Sequence, residues 1–137
     1  MRTVFCHLTG CSQQDVARVL DASFVAQGGD APWLVVSDRG DAVLYIRLYE
    51  SFRAEVGEHE LQAIEAALGG ELQVSVAADV SGRHDGTTEA TGFVLTLLSK
   101  FRGVATDDFS DHPWTRGELE QEAALDDGRR FFDFRRS

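Results

Sequence analysis

The sequence predicts an α+β fold, an antiparallel sheet with helices packed on one face. Three observations support this. Along residues 1–80 the apolar patterns run in the order β-α-β-β-α-β, and glycines mark the element boundaries. The composition, 43% hydrophobic and 26% charged over 137 residues, is that of one globular domain. The order matches a ferredoxin-like βαββαβ core, which residues 81–137 extend by a C-terminal helix and strand.

The first two elements are a strand and an amphipathic helix. Thr3–Thr9 (TVFCHLT) is short, β-branched and aromatic, which is typical of a strand. Ser12 then begins a helix, with Asp15 as its capping-box partner, and Gly28-Gly29 is expected to end it. The apolar positions of this helix fall on one face: Val16, Val19, Leu20 and Phe24.

A hairpin is predicted next, from Trp33–Ser37 through a polar turn at residues 38–41 to Ala42–Tyr49. The last of these strands has two different faces. The aliphatic face is expected to lie against helices: Leu44, Ile46 and Leu48. The amphipathic face is expected to be solvated: Val43, Tyr45, Arg47 and Tyr49.

A second helix is predicted over Gly57–Leu68, with Gly69-Gly70 as its stop. Its outer positions Glu58, Gln62 and Glu65 form an acidic stripe. Residues 71–78 (ELQVSVAA) then alternate between apolar and polar positions, which indicates a strand with one buried face.

The C-terminal part predicts a third helix over Thr88–Arg102 that ends at Gly103, followed by an acidic loop. Thr115 and Glu118 form a capping box for a short helix. Arg129–Arg135 (RRFFDFR) is expected to be a final strand.

Charge is the strongest compositional signal. The net charge is −10, of which residues 54–82 contribute −6 (six acids, no Lys or Arg) and residues 103–137 contribute −4 (nine acids, five Arg). Such a field repels nucleic acid and anionic membranes and attracts basic partners, although it also serves solubility. The sequence has no membrane-spanning run and only two cysteines, Cys6 and Cys11, so we expect a cytoplasmic protein without a disulfide framework.

Motifs for catalysis or cofactor binding are lacking in this sequence. It contains no G-x-G-x-x-G, P-loop or G-x-S-x-G pattern, so we expect no catalytic residues and no cofactor. One alternative function is a hydrolase in which His84 and Asp85 act as an acid–base pair. The sequence shows no matching nucleophile for such a pair. Cys6, His7 and Cys11 lack zinc-site spacing. The carboxylates at 107–111 lack a calcium-loop pattern, so no metal site is predicted.

The candidate partner-binding residues lie in two places. An acidic loop and the aromatic residue after it follow the third helix, and an acidic stripe lies on the second helix. These candidates are Asp107, Asp108, Asp111 and Trp114 on the loop, and Glu58 and Glu65 on the helix. Tryptophan is enriched among residues that anchor protein interfaces.

The run FVLTLLSKFRGVATDDFSDHPWT at residues 93–115, followed by an acidic helix and FFDF, resembles small acidic immunity proteins. These proteins belong to bacterial polymorphic-toxin and contact-dependent competition systems, and the resemblance covers residues 80–134. It implies a non-catalytic inhibitor that occludes the active site of a cognate, basic toxin domain. It points to Asp107, Asp108 and Trp114-Thr115 in this chain.

The alternative is a small-molecule-binding or regulatory module of ferredoxin-like fold that acts as a homodimer. In that case the face that carries Tyr45, Arg47 and Tyr49 is the expected interface or ligand platform.

Overall fold

The computed structural model of the chain describes residues 2–132, which form one seven-stranded sheet and five helices. The strands are β1 Arg2–Thr9, β2 Val25–Ala26, β3 Trp33–Val36, β4 Ala42–Leu48, β5 Val74–Val80, β6 Arg102–Asp107 and β7 Trp114–Thr115. The helices are α1 Gln13–Ser23, α2 Phe52–Glu55, α3 Glu58–Leu68, α4 Thr87–Leu98 and α5 Arg116–Glu120.

The strand order is β2-β3-β4-β5-β1-β6-β7, and every neighbouring pair is antiparallel. β1 lies between β5 and β6, where Cys6 is opposite Val76 of β5 and Ala105 of β6. The predicted α+β class and antiparallel sheet are confirmed. The ferredoxin-like topology is not confirmed, because β5 lies between β4 and β1.

Helices cover both faces of this sheet, so the expected packing on one face is wrong. Val4, Cys6 and Leu8 of β1 are fully buried in the cluster that includes α1 and α4. On the opposite face, Phe5 packs with Phe52 of α2 and with Ile64 and Leu68 of α3. The reason lies in β5, whose alternating pattern predicted one buried face and placed Ser75 and Ala77 on the other face. Both are buried, so this central strand is covered on two sides.

The largest difference from the predicted elements is β6. α4 ends at Leu98 rather than Arg102, and residues 102–107 pair with β1 as a strand. Gly103 is therefore not a helix stop. A Cβ at this position would lie 2.6 Å from Leu8 Cδ2 and 2.7 Å from the carbonyl oxygen of His7, so glycine permits β6 to pack here.

Local end signals predicted several boundaries correctly. The capping boxes of Ser12 with Asp15 and of Thr115 with Glu118 are both formed. Gly69 ends α3 in a left-handed conformation with φ of 69°. The first helix ends at Ser23, before the predicted Gly28-Gly29, because residues 25–26 pair with β3.

The predicted final strand is not found in its described part. Residues 129–132 contain a turn and no strand, and residues 133–135 lie outside the described part of the chain. Between residues 2 and 132, no helix has the length and apolar character that crossing a membrane requires.

Candidate binding surfaces

The Asp107 carboxylate organises the loop that follows β6. Its Oδ1 accepts hydrogen bonds from the backbone N–H groups of Phe109 at 3.0 Å and Ser110 at 3.1 Å. Its Oδ2 accepts from the backbone N–H of Phe132 at 2.5 Å. Burial, helped by repulsion from Asp108, raises the pKa of the Asp107 carboxyl despite these donors. This side chain therefore holds the loop from within.

The two other aspartates of the loop are more exposed. Asp108 Oδ2 accepts a hydrogen bond from the backbone N–H of Thr3 at 2.7 Å and so ties the loop to β1. Asp111 is exposed and makes no hydrogen bond or ion pair within residues 2–132. Of the three loop aspartates, it has the carboxylate most available to a partner.

His112 and Trp114 connect this loop to α5. His112 Nε2 lies 2.9 Å from Glu118 Oε2. Partial burial raises the pKa of Glu118, but hydrogen bonds from Thr115 and His112 outweigh it and lower this pKa on balance. The Trp114 ring lies edge-on to that of His112, with 4.6 Å between centroids. Only 1% of Trp114 is exposed, so in this structure it is a core residue, and its indole Nε1 has no hydrogen-bond partner among residues 2–132.

The second predicted place is the surface of α2 and α3, which we call the α2–α3 acidic surface: Glu55, Glu58, Glu60 and Glu71, all exposed. Glu58 and Glu60 have no Lys, Arg or His nitrogen within 4.0 Å among the described residues. Arg53 is the single Lys or Arg between residues 50 and 71, and it lies 3.6 Å from Glu71. This surface therefore keeps a strong local excess of negative charge.

Glu65 differs from Glu58, the other predicted partner-binding residue on this helix, because its carboxylate is engaged within the fold. Its Oε2 accepts hydrogen bonds from the backbone N–H of Leu72 at 2.7 Å and from Arg53 at 3.2 Å. Glu65 therefore fixes the connection from α3 to β5. The exposed Glu55, Glu60 and Glu71 were not among the predicted site residues, although the charge of residues 54–82 pointed to this region.

The structure separates the two predicted groups. Trp114 packs in the core with α1 and α4. Glu58 and Glu65 lie on α3, whose Ile64 and Leu68 pack on the other face of the sheet. One flat partner surface therefore cannot contact Trp114 and Glu58 together without rearrangement of the fold.

A buried polar group that the sequence did not reveal lies beneath α2. His7 is fully buried, with Nδ1 at 2.9 Å from Ser75 Oγ and Nε2 at 2.9 Å from Thr106 Oγ1. Its ring centroid lies 4.3 Å from that of Phe52. Burial lowers the pKa of His7 to about 3, so the imidazole is neutral near pH 7. Because it has no access to solvent, this group supports the core.

The remaining candidates also contact other parts of the fold, although the buried Nδ1 of His84 has no hydrogen-bond partner among residues 2–132. Arg47 pairs with Asp79 and lies over the Tyr49 ring, on a partly exposed part of the sheet. The backbone carbonyls of His84 and Asp85 both accept hydrogen bonds from Arg2. The Asp85 carboxylate accepts from the backbone N–H of Thr87 at 3.0 Å, at the start of α4.

Within residues 2–132, no group of three or more His, Cys, Asp or Glu side chains is placed to hold a metal ion. A comparison of the chain with known protein families, curated proteins and solved structures finds no match in any of the three.

Proposed function

We propose that this protein is a non-catalytic inhibitor of the immunity type, which neutralises a cognate toxin by covering a basic active surface. The observation that carries the proposal is the α2–α3 acidic surface. There, Glu58 and Glu60 are exposed and form no ion pair among residues 2–132, on a helix that is fixed to the sheet through Ile64 and Leu68. The resemblance of residues 80–134 to immunity proteins supports the same class.

Charge complementarity is the proposed basis of recognition. A toxin that acts on an anionic substrate, such as a nucleic acid, needs a cleft rich in Lys and Arg. A rigid acidic surface competes with that substrate and accelerates encounter by electrostatic attraction. Because the four glutamates are exposed, salt screens this attraction, and association is expected to slow as ionic strength rises.

The predicted contact residues differ in whether their carboxylates are accessible to a partner. Glu58 and Asp111 have exposed carboxylates that a partner can reach. Asp107 and Glu65 have their carboxylates engaged by backbone N–H groups, so they act by shaping the surface. We assign the direct contacts to the α2–α3 acidic surface.

The test starts with capture of binding proteins from the native host on the immobilised chain, with elution by salt. The candidate partner is then expressed in a heterologous bacterium with and without this protein. We expect the partner domain alone to arrest growth and co-expression to restore it. A partner that does not arrest growth, or arrest that co-expression does not relieve, contradicts the proposal.

Two double charge-reversal variants test whether the α2–α3 acidic surface is the binding surface. Glu58→Lys with Glu60→Lys should slow association with the captured toxin domain by roughly tenfold or more at low salt. Asp30→Lys with Asp38→Lys is the matched control, because both aspartates are exposed and lie near β2 and β3. This control changes the net charge equally. Equal slowing by both pairs would mean that overall charge, rather than the α2–α3 acidic surface, governs binding.

The homodimeric module is a second candidate, and one observation favours it. Among the described residues, Val25 on the edge strand β2 and Val36 on the adjacent strand β3 are the large apolar side chains with the greatest exposure, at 51% and 40%. Paired edges of two copies would cover them. Light scattering after size exclusion at several concentrations tests this: a dimer that Val36→Lys dissociates supports it, and a monomer throughout rejects it.

A further inference from the structure

The sheet face on which α2 and α3 pack extends beyond these helices to β4. Tyr45 of β4 is opposite Leu34 of β3 and Asp79 of β5, so these three side chains lie on one face. Asp79 is in turn opposite Thr3 of β1. Alternation along β1 places Thr3 on the same face as Phe5, which packs with α2 and α3. Tyr45 therefore lies on the side of the sheet that carries the α2–α3 acidic surface.

The apolar side chains of this row lie outside the core. Leu34 and Tyr45 are half-buried and pack against neither of the two buried clusters among residues 2–132. By contrast, Leu44 and Ile46, the neighbours of Tyr45 on β4, are fully buried on the opposite face. The Tyr45 hydroxyl also makes no hydrogen bond within the described range. Tyr45 is therefore free to contact a partner.

A series of contacts joins Tyr45 to the α2–α3 acidic surface. Arg47 pairs with Asp79, which is opposite Tyr45, and its guanidinium carbon lies 5.4 Å from the centroid of the Tyr49 ring. The Tyr49 hydroxyl donates to Glu55 Oε1 at 3.2 Å. We call Tyr45, Arg47 and Tyr49 the β4 aromatic face. This face and the α2–α3 acidic surface are thus continuous.

The two parts of this surface suit different steps of binding. Exposed charges mainly accelerate encounter, whereas a few well-packed residues, most often Trp, Tyr and Arg, supply most of the binding energy. Such residues commonly lie at the centre of an interface and are surrounded by a polar rim. The β4 aromatic face has these residue types, and Asp79 compensates the charge of Arg47. This face therefore does not repel a partner rich in Lys and Arg.

We infer that the β4 aromatic face anchors the toxin domain in an interface whose rim is the α2–α3 acidic surface. The complementary surface is basic and carries an apolar side chain that packs against Tyr45 and Tyr49, with Lys and Arg opposite Glu55 and Glu58. The inference rests on the proposed toxin inhibition and divides its energetics. The acidic surface governs the association rate, and the β4 aromatic face governs the dissociation rate.

Surface plasmon resonance tests this division, with the full chain immobilised and the captured toxin domain in solution. Tyr45→Ala should accelerate dissociation by roughly tenfold or more and change the association rate by no more than about twofold. Tyr45→Phe keeps the ring and should keep the slow dissociation of the wild type. Dissociation of the toxin domain from Tyr45→Ala at the wild-type rate would overturn the inference.

A measurement on the chain with both tyrosines in place guards against loss of folding in Tyr45→Ala. The chain has two tyrosines, so labelling with 3-fluorotyrosine gives two ¹⁹F resonances, which Tyr45→Phe assigns. Saturation with the toxin domain should shift the Tyr45 resonance. A Tyr45 resonance that keeps its position in the saturated complex contradicts an anchor at this residue.

Val25→Ala is the matched control. Val25 is 51% exposed and lies opposite Leu34, on the same face but two strands away from β4. We expect this variant to dissociate within about twofold of the wild-type rate, since most interface positions contribute little. If Val25→Ala accelerates dissociation as much as Tyr45→Ala does, the anchor is not at Tyr45.

The outcomes separate this inference from the proposed function. A toxin domain that is inhibited, that associates slowly with Glu58→Lys and Glu60→Lys, and that leaves Tyr45→Ala at the wild-type rate would refute the inference alone. If the chain captures no domain that arrests growth, both the inference and the proposed function are wrong.

Discussion

The carboxylate of Asp107 accepts a hydrogen bond from the backbone N–H of Phe132, and this bond joins the end of β6 to the last described residue of the chain. The same carboxylate receives the N–H groups of Phe109 and Ser110. Three backbone N–H groups from two segments therefore donate to one carboxylate. Substitution of Asp107 tests whether this carboxylate holds the acidic loop in place.

Asp107→Ala should lower the free energy of unfolding by roughly 2–4 kcal/mol, because partly buried N–H groups lose a charged acceptor. Urea denaturation followed by circular dichroism measures this change. Asp111→Ala is the control, since Asp111 is exposed without a partner within residues 2–132, and should change stability by no more than about 0.5 kcal/mol. Similar losses in both variants would show that Asp107 does not hold the loop.

Because His7 is buried in its neutral form, we expect the free energy of unfolding to fall in acid. Its folded pKa of about 3 lies below its ordinary value of 6.5, so protonation favours the unfolded chain. The stabilising contribution is present above pH 6.5 and disappears as the pH falls toward 3. Between pH 7.5 and pH 5, linkage gives a loss of about 2 kcal/mol from this group alone.

The difference between His7→Gln and wild-type chains isolates that contribution. His7→Gln should be less stable than the wild type at pH 7.5. Between pH 7.5 and pH 5, its free energy of unfolding should fall by about 2 kcal/mol less than that of the wild type. His59→Gln removes an exposed histidine and is the control for loss of a histidine as such. An unchanged pH slope in His7→Gln would mean that His7 is not held neutral by burial.

Substitution by alanine is expected to have opposite effects on stability at Gly103 and at Gly92. Gly103→Ala places a methyl group 2.6 Å from Leu8 Cδ2 and should destabilise the protein by about 1–3 kcal/mol. Gly92→Ala lies in α4 with no atom within 4 Å of the new Cβ, and should stabilise it by about 0.5–1 kcal/mol. Thermal unfolding of both variants measures the difference. Equal signs would be inconsistent with the packing of β6 against Leu8.

Thr115→Ala removes the side chain that accepts from the backbone N–H of Glu118 at 3.2 Å. Loss of such a cap should cost about 1 kcal/mol and increase hydrogen exchange of the α5 amides. Ser12→Ala removes the equivalent cap of α1 and should raise exchange there instead. Exchange that rises throughout the chain in Thr115→Ala, rather than in α5, would contradict a local role.

Local signals explain what the sequence predicted well. A capping box acts within four residues, so Ser12 and Thr115 indicated their helices without reference to the fold. β6 was missed because its identity depends on pairing with β1, nearly one hundred residues away. In isolation, Gly103 and Asp107 look like a helix stop and a loop residue.

The candidate site shows the same division. The exposed charge of Glu58 and Asp111 follows from the sequence, because their neighbours on the chain are polar or acidic. The internal roles of Asp107 and Glu65 do not, because each depends on backbone N–H groups brought near by folding. The burial of Trp114 likewise depends on Phe131 and on α4.

The position of β1 between β5 and β6 also constrains how the protein is made. Residues 2–9 are synthesised well before one of their two neighbours in the sheet, β6 at residues 102–107. Until that segment has been synthesised, one edge of β1 lacks its neighbour, and unpaired edges favour wrong association. This sheet can therefore be completed only after residues 102–107 have been synthesised, and nascent chains that stall before β6 are expected to need chaperones.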